Sequence, residues 1–177
     1  ILKKEVLYEF DLQIECLNPF WREEEETKED IASWVAAWHF PCIIEKDNAK
    51  SMIYGYRAES VIVDCYNEGD VSTGMRIRFT ALGTVSNPIL LNVDTEEFIQ
   101  INATMKTGDV IEINTKYGSK GAKLIRDGVE TDYFRYIDVD STFMQLAIGD
   151  NMFRYDAASG VNSLEVSIFY SKEFLGV

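Results

Sequence analysis

The chain has 177 residues, 46% of them hydrophobic and 27% charged, with a formal net charge of −13. That length and apolar content suffice for a full core, as one domain or one domain with an appendage. With 30 acidic against 17 basic residues and no basic run beyond Lys3-Lys4, the charge argues against nucleic acid and anionic membranes, which are bound by clustered lysine and arginine. No apolar run approaches the roughly 18 residues of a bilayer span, so no membrane insertion is expected.

The chain starts at Ile1 without methionine and without the apolar stretch of a signal peptide, which suggests a segment cut from a longer protein. From Val6 to Cys16 apolar residues alternate with Glu5, Glu9, Asp11, Gln13 and Glu15, the period of a half-wet strand. Asn18-Pro19 breaks it. Thr27-x-x-Asp30 then has the form of a capping box, and Ile31, Trp34, Val35 and Trp38 follow at helical spacing, so a short amphipathic helix is predicted over residues 27–39. At that spacing Trp34 and Trp38 read as core.

After Pro41 only strands are predicted: 61–66, 75–81, 89–93, 98–101, 110–115, 122–125, 133–137, 143–146, 152–155 and 164–170. Turn residues separate them at Asn67-Glu-Gly-Asp70, Thr107-Gly-Asp109, Tyr117-Gly-Ser119, Asp127-Gly128 and Gly149-Asp150, near the spacing of about 8 to 12 residues seen in sandwiches and barrels. Met75, Ile77 and Phe79 alternate with Arg76, Arg78 and Thr80, giving one dry and one wet sheet face. The expected fold is all-β with one short helix, a two-sheet antiparallel sandwich.

Chemistry-bearing patterns are sparse. The single histidine, His39, removes His-based metal clusters and reads as structural. The odd count of three cysteines, Cys16, Cys42 and Cys65, at wide spacing fits buried thiols. Asp138 and Asp140 would share one face of a strand, a pair that could serve a glycosidase or hold calcium; a solvated strand face is the favoured reading. Gly118-Ser-Lys-Gly121 lacks P-loop spacing and reads as a hairpin turn. No catalytic residue, metal site or cofactor is predicted. Tyr133, Tyr136 and Trp21 are the aromatic candidates for stacking a saccharide or contacting a protein, with Tyr133 and Tyr136 placed by strand period on opposite faces. Gly149 and Asn151 read as a structural turn, the asparagine hydrogen-bonding across it.

Taken in order, Leu12-Gln-Ile-Glu-Cys-Leu-Asn-Pro-Phe-Trp21, Asn67-Glu-Gly-Asp70, Pro88-Ile-Leu-Leu-Asn92, Gly108-Asp-Val-Ile-Glu-Ile-Asn-Thr115 and Ser141-x-Phe-x-x-Leu-x-x-Gly149-x-Asn151 resemble the siphovirus-type phage distal tail proteins, also found in prophages. Asn114 departs from the aspartate expected before the threonine. The resemblance implies a non-enzymatic structural component of a phage tail tip or baseplate, made in the bacterial host cytoplasm. It implies a C-terminal sandwich of jelly-roll, galectin-like or carbohydrate-binding-module-like type. Residues 1–20 would be the last strand of, or link to, a ring-forming N-terminal domain, residues 21–56 a helix-containing connector, and residues 57–177 the sandwich. The implied partners are the tail tube, a tail-associated lysin, and fibre or receptor-binding proteins. The full-length protein is expected to be a homo-hexamer and this fragment a monomer. The alternative function is a carbohydrate-binding module contacting host cell-wall saccharide.

Overall fold

The structure, a computed structural model, describes residues 10–13, 19–31, 33–36, 55–58 and 62–176, with 33–36 and 55–58 as backbone. Among the described residues the strands are, in chain order, β1 (Phe20–Arg22), β2 (Thr27–Asp30), β3 (Ser33–Ala36), β4 (Gly55–Ala58), β5 (Ile62–Asp64), β6 (Thr73–Ala81), β7 (Val85–Asn92) and β8 (Phe98–Gln100). They continue as β9 (Thr104–Met105), β10 (Val110–Asn114), β11 (Gly121–Arg126), β12 (Val129–Asp132), β13 (Gln145–Leu146), β14 (Met152–Ser159), β15 (Leu164–Tyr170) and β16 (Glu173–Leu175). A seven-stranded sheet runs β12-β11-β10-β6-β15-β2 with β13 on β6, and a five-stranded sheet runs β5-β14-β7-β8 with β9 on β7. The pairs β1–β16 and β3–β4 stand apart. Every pairing is antiparallel.

The sandwich forms because the inward residues of its central strands are apolar and the outward ones are not. On β6, Met75, Ile77 and Phe79 are fully buried, beside Val166 and Ile168 of β15 and Ile111 and Ile113 of β10. Leu90, Ile99, Phe153 and Tyr155 of the smaller sheet join the same core. Each such side chain contributes about 1.5–3 kcal/mol on burial. On the outer face one register row runs Lys123, Glu112, Arg78, Ser167, Asp30 across five strands. Glu112 binds Arg78 and, at 3.3 Å, Lys123, while Ser167 Oγ donates to Asp30 at 2.6 Å. That face neutralises itself.

β7 lies between β14 and β8 yet contains Pro88, which cannot donate a hydrogen bond. The register shows why it is tolerated. Ile89 pairs with Gln100 but Ser86 with Thr104, so residues 101–103 carry one extra residue, a bulge. Ile101 N donates to Pro88 O and Asn87 N to Ala103 O, both at 3.0 Å. The missing donor therefore falls where the ladder is already interrupted.

Three sequence expectations are corrected. The helix predicted over residues 27–39 is replaced, where described, by strands β2 and β3. Thr27–Asp30 pairs with β15, whose edge would otherwise stand open; this tertiary pairing overrides a short helical pattern. The strand predicted at 133–137 is a 3-10 turn, Phe134–Tyr136, closed by Tyr136 N to Tyr133 O at 3.0 Å. Asp138 and Asp140 sit in a turn and not on a strand, with Asp138 accepting from the Asp140 amide at 2.9 Å and from Asn102 Nδ2 at 2.6 Å. The expected strand at 6–16 falls outside the described residues except for 10–13, which are exposed and unpaired in any strand. Trp38, His39, Cys16 and Cys42 also lie outside them, as does the side chain of Trp34.

Candidate docking site

β11 and β12 are joined by Asp127 and Gly128, at φ 52° and 77°. Two central residues at positive φ make the turn that matches strand twist. Leu124 then pairs with Thr131 and Arg126 with Val129. Because Leu124 also pairs with the fully buried Ile111, these four residues lie on the inner face of the large sheet. The opposing sheet is narrower, and among the described residues cover runs out toward the turn: Leu124 is buried at 7% exposed, whereas Val129 is 64% exposed. The core face thus continues into an open cleft.

The chain leaving β12 furnishes the cleft's aromatic end. Tyr133 N is held by Ala122 O at 2.9 Å, and the 3-10 turn brings residues three apart onto one side. The Tyr133 and Tyr136 rings consequently lie 4.2 Å apart at 34°, neighbours where strand period had placed them on opposite faces. Arg135 Nη2 donates to the Tyr136 hydroxyl at 2.8 Å, and its guanidinium lies 4.8 Å from that ring centre. Phe134 turns away to stack on Phe143 at 5.9 Å. The cleft has a volume of about 450 Å³ and is lined by Leu124, Arg126, Val129, Thr131, Tyr133 and Tyr136, with aspartates at its rim.

Arg126 is fixed from below. Its Nε and Nη2 donate to the two carboxylate oxygens of Asp109, which also accepts from Lys106 N at 2.7 Å and is 2% exposed. The bidentate guanidinium holds the Asp109 carboxyl below its ordinary range. Burial pushes the Tyr133 hydroxyl above its usual value, so it stays a neutral donor. The cleft offers aromatic faces, an aliphatic floor and hydrogen-bonding groups, and no nucleophile–base pair. Among the described residues no group of three or more His, Cys, Asp or Glu is placed to share a metal ion.

The remaining sequence-predicted residues lie elsewhere. Trp21, 72% exposed, sits on β1 opposite Phe174 of β16 and backs onto Gly176, where an added Cβ would fall 2.7 Å from its Nε1; it does not line the cleft. Gly149 has φ 87°. Asn151, 3% exposed, donates through Nδ2 to Gly149 O and Ala147 O at 2.9 Å and to Cys65 O at 3.2 Å, and accepts from Ala147 N at 2.9 Å. Asn114, the departure from the family pattern, accepts from Lys116 N and donates to Ser119 Oγ, both at 3.1 Å. Sequence reasoning missed Arg126, Val129, Thr131 and Arg135. The Asp127-Gly128 turn was the available signal, since a strand before it called for one after.

Fold and cleft together define an all-β sandwich domain whose large sheet ends, among the described residues, in an open cleft. The family described as siphovirus-type tail component, C-terminal domain, matches residues 68–174. The chain belongs to this family and is a structural component of a phage tail. No curated protein sequence matches it. Two solved structures of the phage P2 baseplate in its activated conformation, one with Ca and one with Sr, are similar in fold at a TM-score of 0.44 and 12% identity. The alignment covers 83% of this chain and 53% of each of theirs, so the chain spans about half the length of those it matches.

Proposed function

We propose that this chain is the C-terminal sandwich of a tail-tip component and that it docks other tail or receptor-binding proteins through the β11–β12 cleft. The observation that carries this is the end of the seven-stranded sheet, where Val129 and Thr131 are exposed among the described residues and the half-buried Tyr133 and Tyr136 complete the cleft. Tyr133 and Tyr136 have Arg126 and Arg135 beside them in the cleft lining, and tyrosine and arginine are among the side chains that most often anchor protein interfaces. The centre of the outer face is a poorer docking surface because Glu112 pairs with Arg76, Arg78 and Lys123. In this reading residues 1–20 lead from a ring-forming domain through which the full-length protein becomes a hexamer, and residues 21–56 connect that domain to the sandwich. The role is non-enzymatic.

The test is a double substitution, Tyr133→Ala and Tyr136→Ala, in the full-length protein. Loss of tail assembly with an unchanged melting curve supports the proposal; normal tails overturn it. A second reading, saccharide binding by the same cleft, is favoured by the aromatic pair ringed with Arg126, Asp127, Thr131 and Asp132. Calorimetry with host cell-wall polysaccharide separates the two, since heat that the double substitution abolishes supports the second reading and absence of heat sinks it.

A further inference from the structure

The strand bounding this cleft is also an open sheet edge. β12 ends the strand order of the large sheet, and all four of its residues are exposed. Tyr133 N donates inward to Ala122 O, and backbone groups alternate in direction along an antiparallel strand. Val129, Thr131 and Tyr133 therefore face β11, while Glu130 and Asp132 turn their N–H and C=O outward. The edge at β8 differs: Asp138 N donates to Gln100 O at 2.9 Å and Thr142 N to Phe98 O at 2.8 Å, so a later segment closes it. Among the described residues nothing closes β12.

We infer that β12 receives an extended segment of a partner protein as an added strand, and that the segment carries a basic-apolar-basic alternation. This rests on the docking reading of the cleft and specifies what enters it. Strand period decides the alternation. Incoming residues opposite Glu130 and Asp132 project on the outer face beside two carboxylates that have one lysine between them. Lys123 holds Glu130 at 2.9 Å, stands opposite Asp132 and also pairs with Glu112, so lysine or arginine is the favourable cross-strand partner. The residue between them, opposite Thr131, projects on the inner face over Leu124, Val129, Tyr133 and Tyr136, where an aliphatic or aromatic side chain fits. Main-chain bonds supply affinity and the alternating side chains register, as in other strand additions. A second copy of this chain does not fit, because β12 against β12 sets Glu130 and Asp132 of each copy beside those of the other. The chain's charge of −13 points the same way, toward a basic partner.

The experiment is an amide chemical-shift titration of the protein with blocked hexapeptides: alternating arginine–valine, alternating glutamate–valine, and the arginine composition in block order. The arginine–valine peptide is expected to shift Glu130, Asp132 and Tyr133, with binding at least about tenfold tighter than either control. Glu130→Pro removes an outward donor without touching the β11 ladder, as proline permits at an edge, and should abolish those shifts. Should that variant unfold, the charge-reversed pair Glu130→Lys and Asp132→Lys serves instead and should invert the preference between the arginine and glutamate peptides. No shifts at about 1 mM peptide, shifts mapping elsewhere, or equal binding by all three peptides overturns the inference and leaves β12 a short charged edge guarded against pairing. Tails lost in the Tyr133→Ala/Tyr136→Ala protein but normal in the Glu130→Pro protein reject strand addition while the docking reading stands.

Discussion

Asn67 and Gly149, from two separate turns, exchange both backbone hydrogen bonds, Asn67 N to Gly149 O and Gly149 N to Asn67 O, each at 2.9 Å. Each turn then braces the other's side chains. Asn67 Oδ1 accepts from Gly69 N at 3.0 Å and its Nδ2 donates to Val71 O, while Asn151 ties Gly149 to Ala147 and Cys65. The two buried asparagines form one knot at this end of the sandwich.

Asn151→Ala should cost about 1–3 kcal/mol, because it takes the side-chain partner from the buried Cys65 carbonyl and unties both the carbonyl and the amide of Ala147. Asn151→Asp should cost no less, since a carboxylate cannot donate to those carbonyls. Urea unfolding reads this as a lower midpoint at constant slope. An unchanged midpoint in both variants would show that water replaces the side chain.

Glycines at positive φ separate conformation from space. Gly160 and Gly118 have nearly equal φ, 77° and 76°, but an added Cβ would lie 2.1 Å from Thr84 O at Gly160 and meet nothing within 4 Å at Gly118. Alanine at Gly118 should cost about 1 kcal/mol of backbone strain. At Gly160 it should cost several kilocalories or abolish folding, because the obstacle is backbone. Thermal melts of the two variants should differ widely, and equal melts would contradict the contact.

Acid should weaken the sandwich through Asp109. Its carboxyl is held below the ordinary value of 3.8 by Arg126, so at low pH the unfolded chain takes up the proton before the folded one does. The stabilisation is complete above the unfolded value and is lost as pH falls through the lower folded one. Glu112 acts in the same direction: burial raises its pKa, but Arg78 and Lys123 outweigh that and lower it. Asp109→Asn should be less stable at neutral pH and should lose less on acidification. Denaturant midpoints at pH 7 and at about pH 3 check this, and parallel curves for the two proteins would contradict it.

The outer-face row should depend on its buried centre more than on its rim. Glu112→Gln removes the negative charge shared by Arg76, Arg78 and Lys123 and turns one of its two acceptor oxygens into a donor, and should cost about 1–3 kcal/mol. Glu130→Gln loses one exposed pair with Lys123, and exposed pairs contribute at most about 1 kcal/mol. Equal midpoints for the two variants would show that Glu112 is screened like a surface charge.

Strands whose faces differ were legible in the sequence. β6 and β15 were read from Met75, Ile77 and Phe79 and from Leu164, Val166 and Ile168, because burial on one side leaves an alternation that no other element produces. β12, Val-Glu-Thr-Asp, has no buried face and left no period. Thr27–Asp30 and Tyr133–Ile137 were misread because their conformation is set by distant partners, β15 in one case and Ala122 in the other. The cleft combined both difficulties. Tyr133 and Tyr136 were singled out as candidate contact aromatics and both line the cleft, yet the tilted contact between their rings depends on chain segments meeting in space.

The pairing of β1 with β16 and β2 with β15 joins the beginning of the described chain to its end. Arg22, for instance, donates to Glu173, 151 positions away. β1 and β2 lack these partners until residues 164–175 have been made, and such distant closures make folding slow. The nascent chain must meanwhile hold the flank of β15 unpaired, a period in which a neighbouring nascent copy could capture it. Completion of the large sheet and of the β1–β16 pair must therefore wait for residues 164–175, however early the intervening strands are made.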